Sequence, residues 1–211
     1  MTKGIFITIE GGEGVGKSTN IDVVKVFLEE KGIDYVQTRE PGGTLLAEKI
    51  RNLLLADHGE SFDSTAELLL MFAARAQHLN TLIKPALDRG VWVLCDRFTD
   101  ATYAYQGGGR QLDDKLIAQL EQLVQHDLRP DLTLILDLDP ATGIERARQR
   151  GELDRFELEQ IEFFTRVRET YLTIADRDSQ RCAVIDASLP MEQVSASVQA
   201  VLQEKLNRFL P

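Results

Sequence analysis

The chain has few of the residues that build disulfide frameworks or metal centres. Its 211 residues include only two cysteines and three histidines. Cys95 and Cys182 lack the spacing of a disulfide framework, and both suit a reducing compartment. The histidines are isolated along the chain and lack metal-ligand spacing, so they are interpreted as surface or packing residues: His58, His78 and His126.

Long apolar runs and positive charge are also scarce. The longest apolar run, residues 68–74, is far too short to span a bilayer. Residues 1–3 lead directly into the first predicted strand, so no secretory signal and a cytoplasmic location are expected. The net charge of −10 argues against a nucleic-acid partner, which would need a basic face. Positive charge is concentrated in one segment that could meet a nucleotide: Arg146, Arg148, Arg150 and Arg155.

The clearest motif that is present is a glycine-rich loop over residues 11–18. It matches the phosphate-loop pattern G-x-x-x-x-G-K-[ST] at every fixed position. A β-branched, aromatic-rich run precedes it and a helical apolar repeat follows it, as the motif requires. Lys17 would reach the β- and γ-phosphates of ATP, and the hydroxyl of Ser18 would hold Mg²⁺. The residues expected to bind ATP here are Gly11, Gly12, Glu13, Gly14, Val15, Gly16, Lys17, Ser18 and Thr19.

The rest of the chain alternates between short apolar runs and helical patterns. This alternation predicts one doubly wound α/β domain over residues 1–211, with a five-stranded parallel sheet and ligands beyond the carboxyl ends of the strands. Strands are predicted at about 4–10, 33–38, 91–95, 131–138 and 182–186. Helices are predicted at about 17–31, 44–56, 64–89, 99–106, 112–126, 141–149, 157–177 and 190–209.

Particular residues mark several predicted helix ends. Gly32 and Gly90 are expected to follow helix C-termini. Residues 64–67 read as a capping box, with Ser64 as the cap. Asp139 and Pro140 are expected to cap and begin another helix.

Polar segments follow two of the predicted strands. Residues 39–44, Arg-Glu-Pro-Gly-Gly-Thr, follow the second strand and fit either a ligand loop or a simple turn. Asp96 and Arg97 follow the third strand, where an aspartate can hold Mg²⁺ and an arginine can grip phosphate. We prefer Asp96 to Asp137 as the metal ligand because Arg97 accompanies it.

Two further segments complete the predicted site. Residues 99–110 carry hydroxyl, amide and aromatic side chains that could read a base edge and a sugar, or could simply form a packed helix. Residues 146–155, interpreted as a segment between two helices, suit a mobile lid that brings arginines to a transferring phosphoryl group. The alternative for this segment is a solvated helix end. We place the lid at about 146–156.

Taken in order, these motifs closely resemble the bacterial thymidylate kinase family of nucleoside monophosphate kinases. The resemblance covers nearly the whole chain. It is carried by residues 9–18, 39–44, 72–75, 96–98, 104–110, 129–131 and 148–155. It implies Mg²⁺-dependent transfer of the γ-phosphoryl group of ATP to dTMP, giving dTDP and ADP for dTTP synthesis, by a homodimeric enzyme.

The resemblance also implies roles for single residues. Glu13 would contact the 3′-hydroxyl of dTMP, Arg97 would hold its phosphate, and Arg75 would donate to a thymine carbonyl. The remaining implied contacts with dTMP are Arg39 near the phosphate, Thr102 and Gln106 at the base edge, Tyr105 under the deoxyribose, and Pro41. The loop at Asp186 would border adenine.

One position departs from the family pattern, which has a phenylalanine four residues before the thymine-binding arginine. Met71 occupies that place here, and Phe72 follows it. Since positions i+3 and i+4 of a helix both face position i, either side chain could cover the base.

The phosphate loop contains no arginine, whereas the lid has several, so the chain resembles the subtype with catalytic arginines in the lid. The residues implied in catalysis are Lys17, Arg97, Arg148, Arg150 and Glu13. Two rival functions stay open. The nearest rival is a kinase for another nucleoside monophosphate or for a deoxynucleoside. A GTP-dependent switch is the rival from another class, and it would need an Asn-Lys-x-Asp segment that this sequence lacks.

Overall fold

Five parallel strands form a single sheet at the centre of the molecule. The computed structural model describes residues 3–151 and 154–209, without the side chains of Arg150 and Arg208. The strands are β1 (Phe6–Glu10), β2 (Tyr35–Arg39), β3 (Trp92–Asp96), β4 (Leu132–Asp137) and β5 (Cys182–Asp186). Their order across the sheet is β2-β3-β1-β4-β5, and every neighbouring pair is parallel. The predicted fold class is confirmed.

Helices cover both faces of this sheet, which explains why its central strands read as continuous apolar runs. The helices are α1 (Lys17–Glu30), α2 (Leu45–Leu55), α3 (Ser64–His78), α4 (Lys84–Asp88), α5 (Thr99–Thr102), α6 (Asp114–Val124), α7 (Pro140–Arg150), α8 (Ile161–Arg177) and α9 (Met191–Leu206). Alternate residues of β1 enter different cores. Ile7 packs with α1 and α9, whereas Phe6 packs with the region around α4.

Two predicted helices contain a change of helical type. The predicted helix 64–89 is α3, a π-helical turn at Leu79–Ile83 and then α4. The predicted helix 99–106 is α5 followed by a π-helical segment at Tyr103–Gly109. An apolar repeat does not distinguish these wider turns from an α-helix, and π-helical turns are frequent at functional sites.

The helix-end predictions are confirmed in part. Asp139 caps α7 by accepting from the backbone N–H of Thr142, and Pro140 is its first residue. Gly32 and Gly90 follow helix ends with positive φ. The predicted cap at Ser64 is wrong. Asp63 caps α3 instead, because its carboxylate accepts two backbone N–H groups of the first turn.

The predicted helix start near 157 is also wrong, since α8 begins at Ile161. The side chain of Asp154 accepts from the backbone N–H groups of Phe156 and Glu157 and holds this stretch in turns. The helix predicted at about 141–149 is confirmed as α7, which ends at Arg150, so the first arginines of the predicted lid belong to this helix. Within the described residues, no helix is long and apolar enough to cross a membrane.

Candidate active site

The phosphate loop joins β1 to α1 at the centre of the sheet. Gly11, Gly14 and Gly16 have φ values of 136°, 65° and 86°, which glycine adopts without steric cost. Gly14 also lies against α7, where a Cβ would fall 2.0 Å from the carbonyl oxygen of Gly143. A side chain at Gly143 would in turn lie 2.3 Å from the carbonyl oxygen of Glu13. The loop conformation therefore depends on two glycines that are far apart in sequence.

Lys17 is held on this loop by backbone carbonyl groups. Its Nζ donates to the carbonyl oxygens of Gly12 at 2.8 Å and Gly11 at 3.3 Å. Burial, together with the positive charge of Arg97, lowers the pKa of Lys17 from its ordinary value. Lys17 and Ser18 open α1, whose N-terminus favours negative charge. A loop of this kind is a binding site for phosphate groups.

Arg97 joins the phosphate loop to the end of β3. Its Nη2 donates to Glu13 Oε1 at 2.7 Å and to the hydroxyl of Tyr105 at 2.7 Å. The Tyr105 hydroxyl also donates to Glu13 Oε1, at 2.6 Å. Burial disfavours the charge of Arg97, but the carboxylate of Glu13, together with two nearby tyrosines and Asp96, outweighs burial and keeps the pKa of Arg97 well above its ordinary value. Arg97 is therefore a fixed cation beside the loop.

The backbone of Arg97 is in the left-handed region, with φ of 65°. Such a conformation costs energy in a non-glycine residue and persists only where neighbouring groups hold it. The Arg97 N–H donates to the carbonyl oxygen of Ile9 at 3.0 Å, and the Phe98 N–H donates to Glu10 Oε1 at 2.7 Å. The other carboxylate oxygen of Glu10 accepts from the Tyr171 hydroxyl at 2.8 Å. Glu10 thus fixes the segment that carries Arg97.

A cavity that is open to solvent lies on the other side of Glu13 and Arg97. Most of the predicted dTMP contacts line it. The lining residues are Glu13, Glu40, Pro41, Arg51, Leu55, Met71, Arg75, Arg97, Phe98, Ala101, Thr102, Tyr105, Gln106, Asp154 and Phe156.

Arg75 is the most constrained polar side chain of this cavity. Its Nε donates to Glu40 Oε2 at 2.7 Å and its Nη2 donates to Thr102 Oγ1 at 2.8 Å. The guanidinium also lies 4.9 Å from the ring centroid of Phe72 and 5.0 Å from that of Phe98. Arg75 Nη1 is buried and has no hydrogen-bond partner. An unpaired buried donor at a cavity favours a ligand with an acceptor oxygen.

The structure distinguishes Met71 from Phe72. Met71 lines the cavity, whereas Phe72 is buried between α3 and α6 with Leu68 and Ile117. Of the two candidates that the sequence left open, Met71 is the one that can contact a ligand directly. The ring of Phe72 instead packs against the guanidinium of Arg75.

Several predicted site residues lie away from this cavity. Arg39 is exposed and pairs with Glu48 at 3.0 Å. Arg148 is exposed on α7, and the side chain of Arg150 lies outside the described residues, as do Glu152 and Leu153 of the predicted lid. Asp186 is exposed at the end of β5, where its carboxylate accepts from Ser188. Thr19 is half-buried in the first turn of α1.

The residues predicted to hold Mg²⁺ fit a hard, oxygen-binding cation. Asp96 Oδ1 is buried and has no hydrogen-bond partner, and Ser18 is exposed at the start of α1. Asp137 is different, since Arg168 binds both of its carboxylate oxygens, at 2.6 and 2.8 Å. This difference supports the preference for Asp96. Among the described residues, no cluster of three or more acidic, histidine or cysteine side chains could hold a metal by itself.

The sequence did not identify some residues on which the cavity depends. Glu40 is buried and binds both Arg75 and His78, whose other ring nitrogen contacts Thr38 Oγ1 at 2.7 Å. His78 is therefore a packing residue, as expected, but one that orients the partner of Arg75. Nothing in the sequence pattern shows that the carboxylate between Arg39 and Pro41 turns inward.

Comparison with known proteins identifies the family of this chain. The thymidylate kinase family model matches residues 9–198. The chain is 56% identical to the thymidylate kinase of Hahella chejuensis, covering 98% of this chain and 99% of that protein. It is 60% identical to the thymidylate kinase of Chromohalobacter salexigens, covering 98% of each. The crystal structure of thymidylate kinase from Ehrlichia chaffeensis superposes with a TM-score of 0.78 at 39% identity, over 95% of this chain and 100% of that one. The chain therefore belongs to the thymidylate kinase family.

Proposed function

We propose that this thymidylate kinase transfers the γ-phosphoryl group of ATP to dTMP, forming dTDP and ADP for dTTP synthesis, with Mg²⁺ as its cofactor. The observation that carries the proposal is the contact between Arg97 and Glu13. Glu13 belongs to the phosphate loop, and both residues line the cavity, so a nucleotide in the cavity would direct its phosphate toward a donor on the loop.

ATP is proposed to bind along the phosphate loop, with its phosphates on the backbone N–H groups of residues 11–19 and on Lys17. Its adenine would border the loop at Asp186, which Arg146 contacts through the carbonyl oxygen of Ala187 at 3.3 Å. Ser18 and Asp96 would hold Mg²⁺ with phosphate and water ligands. The bound cation would neutralise negative charge on the transferring phosphoryl group.

The dTMP phosphate is proposed to bind Arg97, with Pro41 beside it and the exposed Arg39 further out. Its deoxyribose would lie over Tyr105, with its 3′-hydroxyl near Glu13. The base would lie against Met71 and meet a set of polar groups at its Watson–Crick edge: Arg75, Thr102 and Gln106.

The chemistry needs little proton transfer. A phosphate monoester has a second pKa of about 6, so the acceptor is largely dianionic at neutral pH and needs no strong general base. The difficulty lies in bringing two polyanions together. Lys17 and Arg97 supply fixed positive charge, and Arg148 and Arg150 of the predicted lid are proposed to add more at the transferring group.

The assembly and location of the protein are also proposals. A single domain with a lid at about 146–156 is proposed to form a homodimer through helices that flank the sheet. Exposed leucines on those helices support this arrangement: Leu46, Leu53, Leu69 and Leu123. Sedimentation at micromolar concentration should then give twice the chain mass of 23.7 kDa. A cytoplasmic location suits Cys95 and Cys182, both of which are free and buried.

A coupled assay of ADP release with a panel of acceptors tests the function. With ATP and Mg²⁺, dTMP should support the fastest turnover among dTMP, dUMP, dCMP, dGMP and AMP, and chelation of Mg²⁺ should abolish it. Preference for another nucleotide would assign the protein to a different monophosphate. Preference for thymidine over dTMP, when thymidine is assayed beside this panel, would make it a deoxynucleoside kinase. Acceptor-independent hydrolysis of GTP would indicate a switch protein.

A further inference from the structure

Glu67 is a fully buried carboxylate that the proposed reaction does not use. It lies in the first turn of α3 and accepts hydrogen bonds from two separate segments of the chain. Gln106 Nε2 donates to Glu67 Oε1 at 2.9 Å, and Arg155 Nη2 donates to Glu67 Oε2 at 2.6 Å. Arg110 contacts both oxygens, at 3.2 and 3.3 Å. Glu67 itself does not line the cavity, but Gln106 does.

These contacts determine the orientation of the side-chain amide of Gln106. An amide can present either its oxygen or its NH₂ group, and the hydrogen-bond network decides which. Two guanidinium groups compensate the charge of Glu67, and a carboxylate can only accept. Gln106 must therefore turn its NH₂ group to Glu67. No described residue donates to its amide oxygen, which is left as an acceptor at the cavity.

The polarity of that amide matters for base selection. Thymine carries a hydrogen at N3, which an acceptor oxygen can bind. Cytosine has an unprotonated N3, which is itself an acceptor and would face the oxygen of Gln106 without a hydrogen between them. A site built around such a hydrogen bond rejects the wrong partner because buried polar groups are left unpaired.

We propose that Glu67 is a specificity-determining residue, which acts through Gln106 by fixing its amide oxygen toward the base and thereby excludes cytosine. The inference rests on the proposed dTMP kinase activity. Glu67 is a positioning residue rather than a catalytic one, since it does not line the cavity. Arg110 and Arg155 contribute by donating to the oxygens of Glu67, which holds its carboxylate in place beside Gln106.

The test is Glu67→Gln, assayed with dTMP, dUMP and dCMP. A glutamine at position 67 can offer either an acceptor or a donor, so Gln106 becomes free to turn its NH₂ group to N3 of cytosine. The dTMP-to-dCMP ratio of kcat/KM should fall on the order of tenfold. The dTMP-to-dUMP ratio should stay within about twofold of wild type, because uracil carries the same N3 hydrogen as thymine.

Two further variants separate this role from a merely structural one. Glu159→Gln removes the other carboxylate partner of Arg110, at 2.5 Å, but does not touch Gln106, and it should leave both ratios unchanged. The double variant, Glu67→Gln combined with Gln106→Glu, places a carboxylate at the base edge. A carboxylate presents an acceptor oxygen in either orientation. This double variant should restore discrimination against dCMP, and it decides the question if Glu67→Gln alone does not fold.

A folded Glu67→Gln variant could slow both substrates equally and leave the dTMP-to-dCMP ratio of kcat/KM unchanged. That result would overturn the inference and leave the dTMP kinase assignment intact. Failure of the double variant to regain discrimination would also overturn it. A wild-type protein that does not phosphorylate dTMP would instead refute the proposed function.

Discussion

Arg97 donates a 2.7 Å hydrogen bond to Glu13, and this contact joins the third strand to the phosphate loop across the mouth of the cavity. The two residues are 84 positions apart in sequence. They meet because β3 and β1 are adjacent in the sheet and both end at the same edge. In doubly wound sheets, ligands bind outside that edge. The donor loop and the acceptor cavity are therefore brought together by strand order.

Lys17→Ala should lower kcat by on the order of 10³-fold or more, because it removes positive charge from the transferring phosphoryl group. The fold should persist, since the hydrogen bonds that Lys17 makes to described residues go to carbonyl oxygens of its own loop. Coupled ADP-release kinetics and thermal unfolding measure the two effects. Lys25→Ala, on the same helix, removes a surface pair with Asp22 and should leave turnover unchanged. Near wild-type turnover in Lys17→Ala would refute the phosphate-loop assignment.

Arg148→Ala should reduce kcat with little effect on KM, by on the order of 10³-fold if this residue is the dominant lid arginine. Arg148 is exposed on α7, so its loss should not change the stability of the fold. Arg150→Ala, assayed in parallel, identifies which of the two arginines contributes more. Gln149→Ala is the control, because this exposed residue lies between them. A rise in KM alone for both arginine variants would make the segment a binding loop.

Gly143→Ala should distort the phosphate loop from a distance. The added methyl group would lie 2.3 Å from the carbonyl oxygen of Glu13, and overpacking of this kind costs about 1–3 kcal/mol. We expect a lower thermal midpoint and a raised KM for ATP. Ala141→Ser, on an exposed position of the same helix, should change neither. An unchanged KM for ATP would show that α7 does not set the loop conformation.

Much of this arrangement can be predicted from the sequence, because short buried runs and a glycine loop are local patterns. The five parallel strands, the phosphate loop and Arg97 at a strand end all follow from them, whereas the order of the strands in the sheet does not. The roles of Glu40 and Glu67 cannot be predicted, since each depends on arginines that only the fold brings near. Met71 and Phe72 could not be separated either. Which of these two side chains faces the cavity depends on how α3 packs against α6, and the helical repeat alone does not show that packing.

Glu10→Gln should change how stability depends on pH. Burial, together with the nearby charge of Asp100, raises the pKa of Glu10 to about 8 from its ordinary value of 4.5, against the opposing effects of Tyr171, the Phe98 N–H and Arg97. The folded protein therefore binds more protons than the unfolded chain between these values. The contribution of Glu10 to the free energy of unfolding is full below pH 4.5 and is lost as pH rises through 8.

Denaturant unfolding between pH 5 and 8 measures this effect. The free energy of unfolding of the wild type should fall more steeply than that of Glu10→Gln, by up to about 1.4 kcal/mol per pH unit. Glutamine keeps an acceptor for the Phe98 N–H and can donate to the Tyr171 hydroxyl, so the variant should fold. Glu204→Gln, on the surface of α9, serves as the control and should follow the wild-type slope. Parallel slopes for wild type and Glu10→Gln would contradict the prediction.

Arg75 should decide between thymine and cytosine at the O4 position. Its guanidinium can only donate, and its unpartnered Nη1 suits a carbonyl oxygen but opposes the amino group of cytosine. The expected order of kcat/KM is dTMP, then dUMP, then dCMP. The penalty for dCMP should reach up to roughly 10⁴-fold, whereas loss of one methyl group in dUMP costs about 1–3 kcal/mol.

Arg75→Ala should narrow the gap between dTMP and dCMP chiefly by slowing dTMP, because the alanine variant loses the donor to O4. The matched control is Arg51→Ala. Arg51 lines the same cavity but donates to the carbonyl oxygen of Pro41 at 2.9 Å, so its loss should slow both nucleotides by a similar factor. Steady-state kinetics with dTMP, dUMP and dCMP distinguish these outcomes. A wild-type enzyme that phosphorylates dCMP as well as dTMP would refute both the role of Arg75 and the choice of thymidylate as substrate.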